Sequence, residues 1–363
     1  MQRSTTSRVT IHPSGRQFSA APGQTLLQAA LDAGVNLPFS CRAGHCGVCR
    51  ARVVEGDVRL DAFSPGLSDP QRAEGHVLLC RSHAAAEHVL IDVREIEWAL
   101  TPPKIIPCRV KSVEQRSDSV AIVKLRLPMN ENVFFLPGQF IDVLFDDGQT
   151  RSYSIANPPG QRGVVEFELH MRHRPGGRMT DPVFRAELTG KMLKIRAPLG
   201  SFFLREGSDK PLVLLATGTG FAPIKAILQH MQATGVTRPA TLYWGGRSPG
   251  DFYMRGLVEQ WEAEHGNFRF VPVVSTPLSA AALAPATQDW AGRTGHVHDV
   301  ARQDFPDLSR HQVYACGSPA MVSAARRVFI DECGLDASDF FSDAFVHTAC
   351  NTLTPQSALS SLP

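Results

Sequence analysis

The sequence predicts a multidomain chain: a compact α+β unit over residues 1–100, a small antiparallel β-barrel over 104–206, an open α/β unit over 207–346 and an aperiodic, mobile tail over 347–363. Three observations carry that division. A glycine-bearing cysteine loop lies among short alternating segments near the N-terminus. The middle of the chain is strand after strand, punctuated by Gly and Pro turns. The last part alternates continuous apolar runs with segments of helical period. At 363 residues the chain also exceeds one ordinary core.

In the first unit, Arg8–Ile11 and Gln17–Ala20 alternate as a hairpin across Pro13-Ser14-Gly15. Pro22-Gly23-Gln24-Thr25 then opens a helix with Leu27, Ala30 and Leu31 on one face, ending at Gly34. Strands are expected at Ala51–Val54 and Val89–Val93. The proline-bearing stretch Thr101–Pro107 is expected to break both helix and strand and to act as a linker.

Between helix and strand lies Cys41-Arg42-Ala43-Gly44-His45-Cys46-Gly47-Val48-Cys49, with Cys80 far downstream. This C-x4-C-x2-C…C spacing is the one plant-type [2Fe–2S] clusters use. Three thiolates wrap a two-iron core, and a distant segment closes the cage. Gly44 and Gly47 fall where the loop must bend tightly, with positive φ. A structural zinc site usually pairs two C-x2-C or Cys/His motifs and fits the spacing less well. Arg42, His45, Arg50, Arg52 and Arg81 flank the ligands and are expected to form a basic collar for an acidic acceptor surface.

In the second unit, Ala121, Val123, Leu125 and Leu127 share one strand face, with Lys124 and Arg126 on the other; Val165, Phe167, Leu169 and Met171 repeat the pattern. Turns at Leu136-Pro137-Gly138-Gln139 and Asp146-Asp147-Gly148 argue for a barrel. Arg151-Ser152-Tyr153-Ser154 lies on one strand. Its Arg suits a diphosphate, its Tyr a flat ring and Ser154 a ring nitrogen, although an ordinary strand with an exposed Arg explains these four residues as well. Pro175-Gly176-Gly177-Arg178-Met179-Thr180 offers a bare turn before a helix start, suited to phosphate.

In the third unit, Leu212–Ala216 reads as a central parallel strand. It runs through Thr217-Gly218-Thr219-Gly220 and Pro223 into a helix, a turn that lets a dinucleotide diphosphate approach the backbone. Trp244 is followed by Gly245, Gly246 and Arg247, with no acidic ribose-binding residue, so the standard G-x-G-x-x-G unit is not present. Cys316-Gly317-Ser318-Pro319 joins another strand to another helix.

Arg-x-Tyr-Ser, Gly-Gly-x-x-Thr, Gly-Thr-Gly-x-x-Pro and Cys-Gly-Ser-Pro, in that order, resemble the ferredoxin–NAD(P)+ reductase superfamily. With the cysteine loop in front, the chain resembles its iron–sulfur flavoproteins. Arg151–Asn157, Tyr243-Trp244-Gly245 and Phe340–Val346 look most like the CDP-6-deoxy-3,4-glucoseen reductases. The resemblance implies a β-grasp [2Fe–2S] ferredoxin domain, a β-barrel FAD domain and a Rossmann-like NAD(P) domain. It implies cluster ligation by Cys41, Cys46, Cys49 and Cys80. It places FAD, rather than FMN, on Arg151, Ser152, Tyr153, Ser154, His170, Gly176, Gly177 and Thr180. Thr217, Gly218, Thr219, Gly220, Pro223, Arg247, Cys316 and Gly317 would hold the dinucleotide, NADH rather than NADPH. Ser154, Cys316 and Phe345 would stand at the reacting centre, with Asp343 a nearby carboxylate.

The implied activity is an electron relay from NADH through flavin and cluster to a protein acceptor, either a sugar-nucleotide dehydrase or an oxygenase component. An iron–sulfur redox sensor without turnover is the reading from a different class. A net charge of +2 argues against nucleic acid. No apolar run is long enough to span a membrane, and the N-terminus shows no leader-like apolar stretch. Cys108, Cys316, Cys333 and Cys350 show no disulfide pattern, so a reducing cytoplasm is expected.

Overall fold

The computed structural model describes residues 6–93, 102–275 and 290–346. The 347–363 tail, expected to be mobile, and Cys350 within it lie outside the described residues.

In the first unit, β1 (Ser7–His12) and β2 (Gln17–Ala20) form the expected hairpin, with Val9 opposite Phe18. Thr25 Oγ1 accepts from Gln28 N at 3.2 Å and starts α1 (Leu26–Asp32). Leu27 and Ala30 are buried, and the chain leaves the helix through Gly34 at φ +70°. Then follow β3 (Arg50–Glu55), β4 (Val58–Leu60), α2 (Asp69–Ala73), β5 (His76–Leu78), β6 (Ser82–Ala84) and β7 (His88–Asp92). The main sheet runs β2-β1-β7-β3-β5, with β4 and β6 as a separate ribbon. Antiparallel pairing of β3 with β5 sets Arg50 opposite Leu78, and Leu79 N donates to Cys49 O at 3.0 Å. That register brings Cys80 back to the cysteine loop.

The second unit holds β8 (Lys104–Ser117), β9 (Val120–Arg126), β10 (Phe140–Leu144), β11 (Thr150–Ser154), β12 (Glu166–Arg172), the short α3 (Thr180–Phe184) and β13 (Met192–Leu199). Its sheet runs β11-β10-β13-β8-β9-β12. A bridge from Ile155 to Leu169 joins the two ends into a barrel. Ala121, Val123, Leu125, Phe167, Leu169 and Met171 fill its interior. One expectation fails here. Residues 104–107 are not linker but the start of β8, with Ile106 opposite Ile195 and buried. Pro107 is tolerated because β9 joins β8 only from Arg109 onward, leaving one side of the strand without a ladder to break.

The third unit contains β14 (Leu212–Thr217), α4 (Phe221–Thr234), β15 (Ala240–Gly246), α5 (Arg255–Glu264), β16 (Phe268–Val274), β17 (Arg293–Thr294), α6 (Val297–Asp304), β18 (Gln312–Gly317), α7 (Pro319–Asp331) and β19 (Phe340–Ala344). All pairings are parallel, in the order β17-β16-β15-β14-β18-β19. Leu212–Ala216 is buried throughout, as a strand covered on both faces must be. The order reverses between β14 and β18, so a crevice opens at their carboxyl ends.

Candidate functional site

The four cysteines of the sequence pattern come together as two facing thiol pairs, Cys41 with Cys46 and Cys49 with Cys80. Cys46 N also points at Cys41 Sγ, 3.4 Å away. The thiol hydrogen bond from Cys46 pulls Cys41 down to about 5, and the same bond together with burial pushes Cys46 up. Among the described residues, no three His, Cys, Asp or Glu side chains converge to hold a single metal ion. Two thiol pairs instead suit a two-iron cluster, which takes two thiolates on each iron. Gly44 and Gly47 have φ +79° and +72°; a Cβ on Gly47 would lie 2.8 Å from Gly66 O. The loop is therefore shaped around glycine, as its sequence implies.

Two of the five residues expected in the basic collar, Arg42 and Arg81, are engaged within the protein, while Arg52 is exposed and His45 and Arg50 are half-buried. Arg42 turns inward, its guanidinium reaching Asp142 Oδ2 at 2.9 Å, Asp142 Oδ1 at 2.6 Å and Ser152 Oγ at 2.7 Å. Arg81 pairs with Asp61 at 3.3 Å. Cys46 is buried against the third unit, in one apolar cluster with Met321, Val322 and Phe340.

On β11, side chains alternate as strand geometry requires. Arg151 donates to Thr150 O at 2.8 Å and Gln149 Oε1 at 3.4 Å, and no carboxylate pairs with it among the described residues. That leaves its charge available to a diphosphate. Tyr153 is half-buried against the barrel core, and burial pushes its phenol up. Ser152 faces away from both. Its hydroxyl donates to Asp142 Oδ1 at 2.7 Å while accepting from Arg42, so its side chain ties the barrel to the first unit. Ser154 is buried and hydrogen-bonds Asp343 from β19. Asp343 Oδ1 also accepts from Ser40 Oγ at 2.7 Å. Burial pushes the Asp343 carboxyl up to about 6, against the pull of both hydroxyls.

The glycine turn after β12 differs from expectation. Gly176 N donates to Asp181 Oδ2 at 3.0 Å and Gly177 N to Arg174 O at 2.8 Å. Thr180 Oγ1 is folded onto the Arg174 backbone, accepting from N at 3.2 Å and donating to O at 3.0 Å. The two glycine amides are thus used within the turn itself, and the helix start after them, Arg178 to Thr180, is the part of the motif left to meet a phosphate. His170 is likewise engaged: Nδ1 meets Tyr253 Oη at 2.7 Å and Nε2 meets Glu168 Oε1 at 3.0 Å. With both ring nitrogens used and the ring buried, its side chain is a strut between barrel and α/β unit.

The crevice between β14 and β18 is built by close approach. A Cβ on Gly220 would fall 2.2 Å from Cys316 O, and one on Gly317 would fall 2.2 Å from Thr217 Oγ1. Ser318 N donates to Thr217 Oγ1 at 2.9 Å, locking the two turns together. Behind them Trp244 Nε1 donates to Gly218 O at 3.1 Å, and its ring stacks on Phe221 at 4.1 Å. Thr219 and Pro223 are buried in the same turn and the first turn of α4. Cys316 is fully buried, and burial raises its thiol, so it is a neutral group that shapes the site rather than a nucleophile. Phe345 N donates to Gly317 O at 2.8 Å, setting the residue at the crevice mouth. Arg247 is exposed at the end of β15, its N–H donated to Asp251 Oδ2 at 2.7 Å.

Sequence reasoning missed Arg172, whose guanidinium approaches the Gly218 turn from the barrel. It also missed the Lys225–Glu168 pair at 3.0 Å. Arg172 ends the alternating run that includes Met171, which was the available signal; nothing local marks Lys225.

Comparison with known proteins agrees with this arrangement. Residues 9–85 match the family described as 2Fe-2S iron-sulfur cluster binding domain, 107–204 the oxidoreductase FAD-binding domain and 214–327 the oxidoreductase NAD-binding domain. The CDP-6-deoxy-L-threo-D-glycero-4-hexulose-3-dehydrase reductase of Yersinia pestis is 39% identical over 93% of this chain and 98% of its own. The terephthalate 1,2-dioxygenase reductase component 2 of a Comamonas species is 36% identical over 93% and 97%. Among solved structures, a cytochrome P450 reductase from Amycolatopsis superposes with a TM-score of 0.72 at 31% identity, covering 93% of this chain and 98% of that one.

Proposed function

The chain belongs to the ferredoxin–NAD(P)+ reductase superfamily, in its [2Fe–2S] flavoprotein branch, and from that premise we propose that its acceptor is a CDP-6-deoxyhexulose dehydrase and its donor NADH. The protein is an NAD(P)H-dependent FAD/[2Fe–2S] oxidoreductase that delivers electrons to a protein. When bound, the cofactors accept a hydride as an electron pair and release its electrons singly. The chain's own task is placement. The Thr217–Gly220 turn and Gly317 bring backbone close to a dinucleotide, while Arg151, which pairs with no carboxylate among the described residues, offers its charge and Tyr153 an apolar platform to the flavin.

One observation carries the reading. Asp343 of β19 holds Ser154 of the flavin strand and Ser40 beside cluster ligand Cys41, so nicotinamide crevice, flavin strand and cluster loop share one junction. The dehydrase assignment is supported by the 39% identity with the Yersinia pestis protein across nearly the whole of both chains. A second reading, service to an aromatic-ring oxygenase, is supported by the 36% identity with the terephthalate dioxygenase component. NADH is favoured because the end of β15 carries two glycines and, among the described residues of that turn, the single exposed cation Arg247. Oxidation of NADH and NADPH, each with a CDP-hexulose dehydrase and with an oxygenase component as acceptor, tests both assignments. Turnover with the oxygenase alone would replace the first reading by the second. Among the described residues no helix is long and apolar enough to cross a membrane.

A further inference from the structure

We infer that Arg42 is a positioning residue that holds the cluster loop on the flavin barrel, fixing the spacing over which single electrons pass. The inference rests on the relay proposed above and adds a device to it. Arg42 follows the ligand Cys41 directly, and its backbone sits at φ +49°, a left-handed conformation that non-glycine residues keep only when their surroundings hold them there. What holds it is a planar fork. Nη1 and Nη2 bond the two oxygens of Asp142 at 2.9 and 2.6 Å, and Nη2 also bonds Ser152 Oγ at 2.7 Å. Asp142 is fully buried, so no solvent stands in for this partner. Ser152 stands between Arg151 and Tyr153 on β11. The loop is therefore tied to the strand that faces the flavin, one residue from a cluster ligand.

Neighbouring contacts extend the tie without duplicating it. Ser201 Oγ donates to Phe39 O at 2.7 Å and accepts from Phe39 N at 3.0 Å, and Phe39 meets Phe140 edge-on at 6.1 Å. These contacts fix the stem of the loop. Among the described residues, the hydrogen bonds that bind the ligand-bearing turn directly to β10 and β11 come from Arg42. A lysine could supply the charge there but not the two-pronged geometry.

Holoenzyme variants Arg42→Met, Asp142→Asn and the double variant test the inference in anaerobic stopped-flow with NADH, following flavin and cluster absorbance separately. The expected result is unchanged flavin bleaching and NADH:ferricyanide turnover, with cluster reduction slowed about tenfold or more. The double variant should be no slower than the slower single one, because both remove the same tie. Hydrogen exchange of residues 37–49 should rise in Arg42→Met while the EPR spectrum of the dithionite-reduced cluster stays that of the wild type. Cluster reduction at the wild-type rate, or a changed EPR spectrum showing that Arg42 acts on the cluster itself, would overturn the inference. If wild-type protein showed no cluster reduction by NADH, the relay would fail instead; unchanged exchange in Arg42→Met would still count against the tie on its own.

Discussion

Replacing Lys225 with methionine probes the seam between barrel and α/β unit. Its ammonium lies 3.0 Å from Glu168 Oε1, 3.1 Å from Ala156 O and 2.9 Å from Gln229 Oε1. The side chains of Lys225 and Glu168 are only 6% and 17% exposed, so the pair is screened little by solvent. Burial alone would raise Glu168, but the His170 hydrogen bond and the Lys225 charge outweigh it and hold the carboxyl at about 2. Removing one partner of a buried pair costs about 3–5 kcal/mol, because the other charge is left uncompensated. Glu168 keeps its His170 contact, so the lower end, about 3 kcal/mol, is expected here. Methionine preserves the apolar stem, which limits any cavity term. Adding Glu168→Met should restore much of the loss, since no charge then remains to strand. Urea unfolding of the holoprotein, read by flavin release and by tryptophan fluorescence, measures both variants. The pH dependence follows from the sign of the shift. A folded value of about 2 lies below the ordinary glutamate value, so this stabilisation is complete above about pH 5 and fades as pH falls from about 4.5 through 2. Lys225→Met lacks much of that depression, so its stability deficit against wild type should narrow as pH falls through the same window. A Lys225→Met protein as stable as wild type, or a double variant worse than the single, would refute the reasoning.

Gly47→Ala should assemble cluster poorly, since alanine at φ +72° costs about 1–2 kcal/mol and its Cβ would press on Gly66 O at 2.8 Å; iron content and visible absorbance after reconstitution give the measure. Gly220→Ala should abolish nicotinamide-dependent flavin bleaching while leaving dithionite reduction of the cluster intact, because its Cβ would meet Cys316 O at 2.2 Å. Cys316 should resist iodoacetamide at pH 8 in the folded protein, as its thiol is buried and raised, and Cys316→Ala should lower kcat more than it changes KM for NADH.

What the sequence made legible was local. Cys41, Cys46 and Cys49 fall within nine residues, and the Gly218-to-Pro223 turn within six, so ligand spacing and strand–turn–helix logic could be read directly. Apolar alternation likewise revealed β9 and β12. Contacts between distant segments left no such trace. Ser40 with Asp343, Arg42 with Asp142 and Lys225 with Glu168 join residues on different units, and no periodicity names a partner on another unit. The basic collar was a count of charges near the ligands; once Asp142 is placed opposite Arg42, that cation belongs to the interior. Pro107 misled for the converse reason, since a proline at a half-paired position of β8 breaks no ladder. The acceptors of the Gly176 and Gly177 amides, Asp181 and Arg174, were likewise not legible from the Gly-Gly-x-x-Thr pattern.

The relay's direction is tested most directly by removing the cluster from otherwise intact protein. Cys49→Ser, loaded with FAD, should oxidise NADH with ferricyanide at close to the wild-type rate yet fail to reduce the protein acceptor, whether dehydrase or oxygenase component. Reduction of that acceptor at the wild-type rate without a cluster would contradict the assignment of Cys41, Cys46, Cys49 and Cys80 as the point where electrons leave.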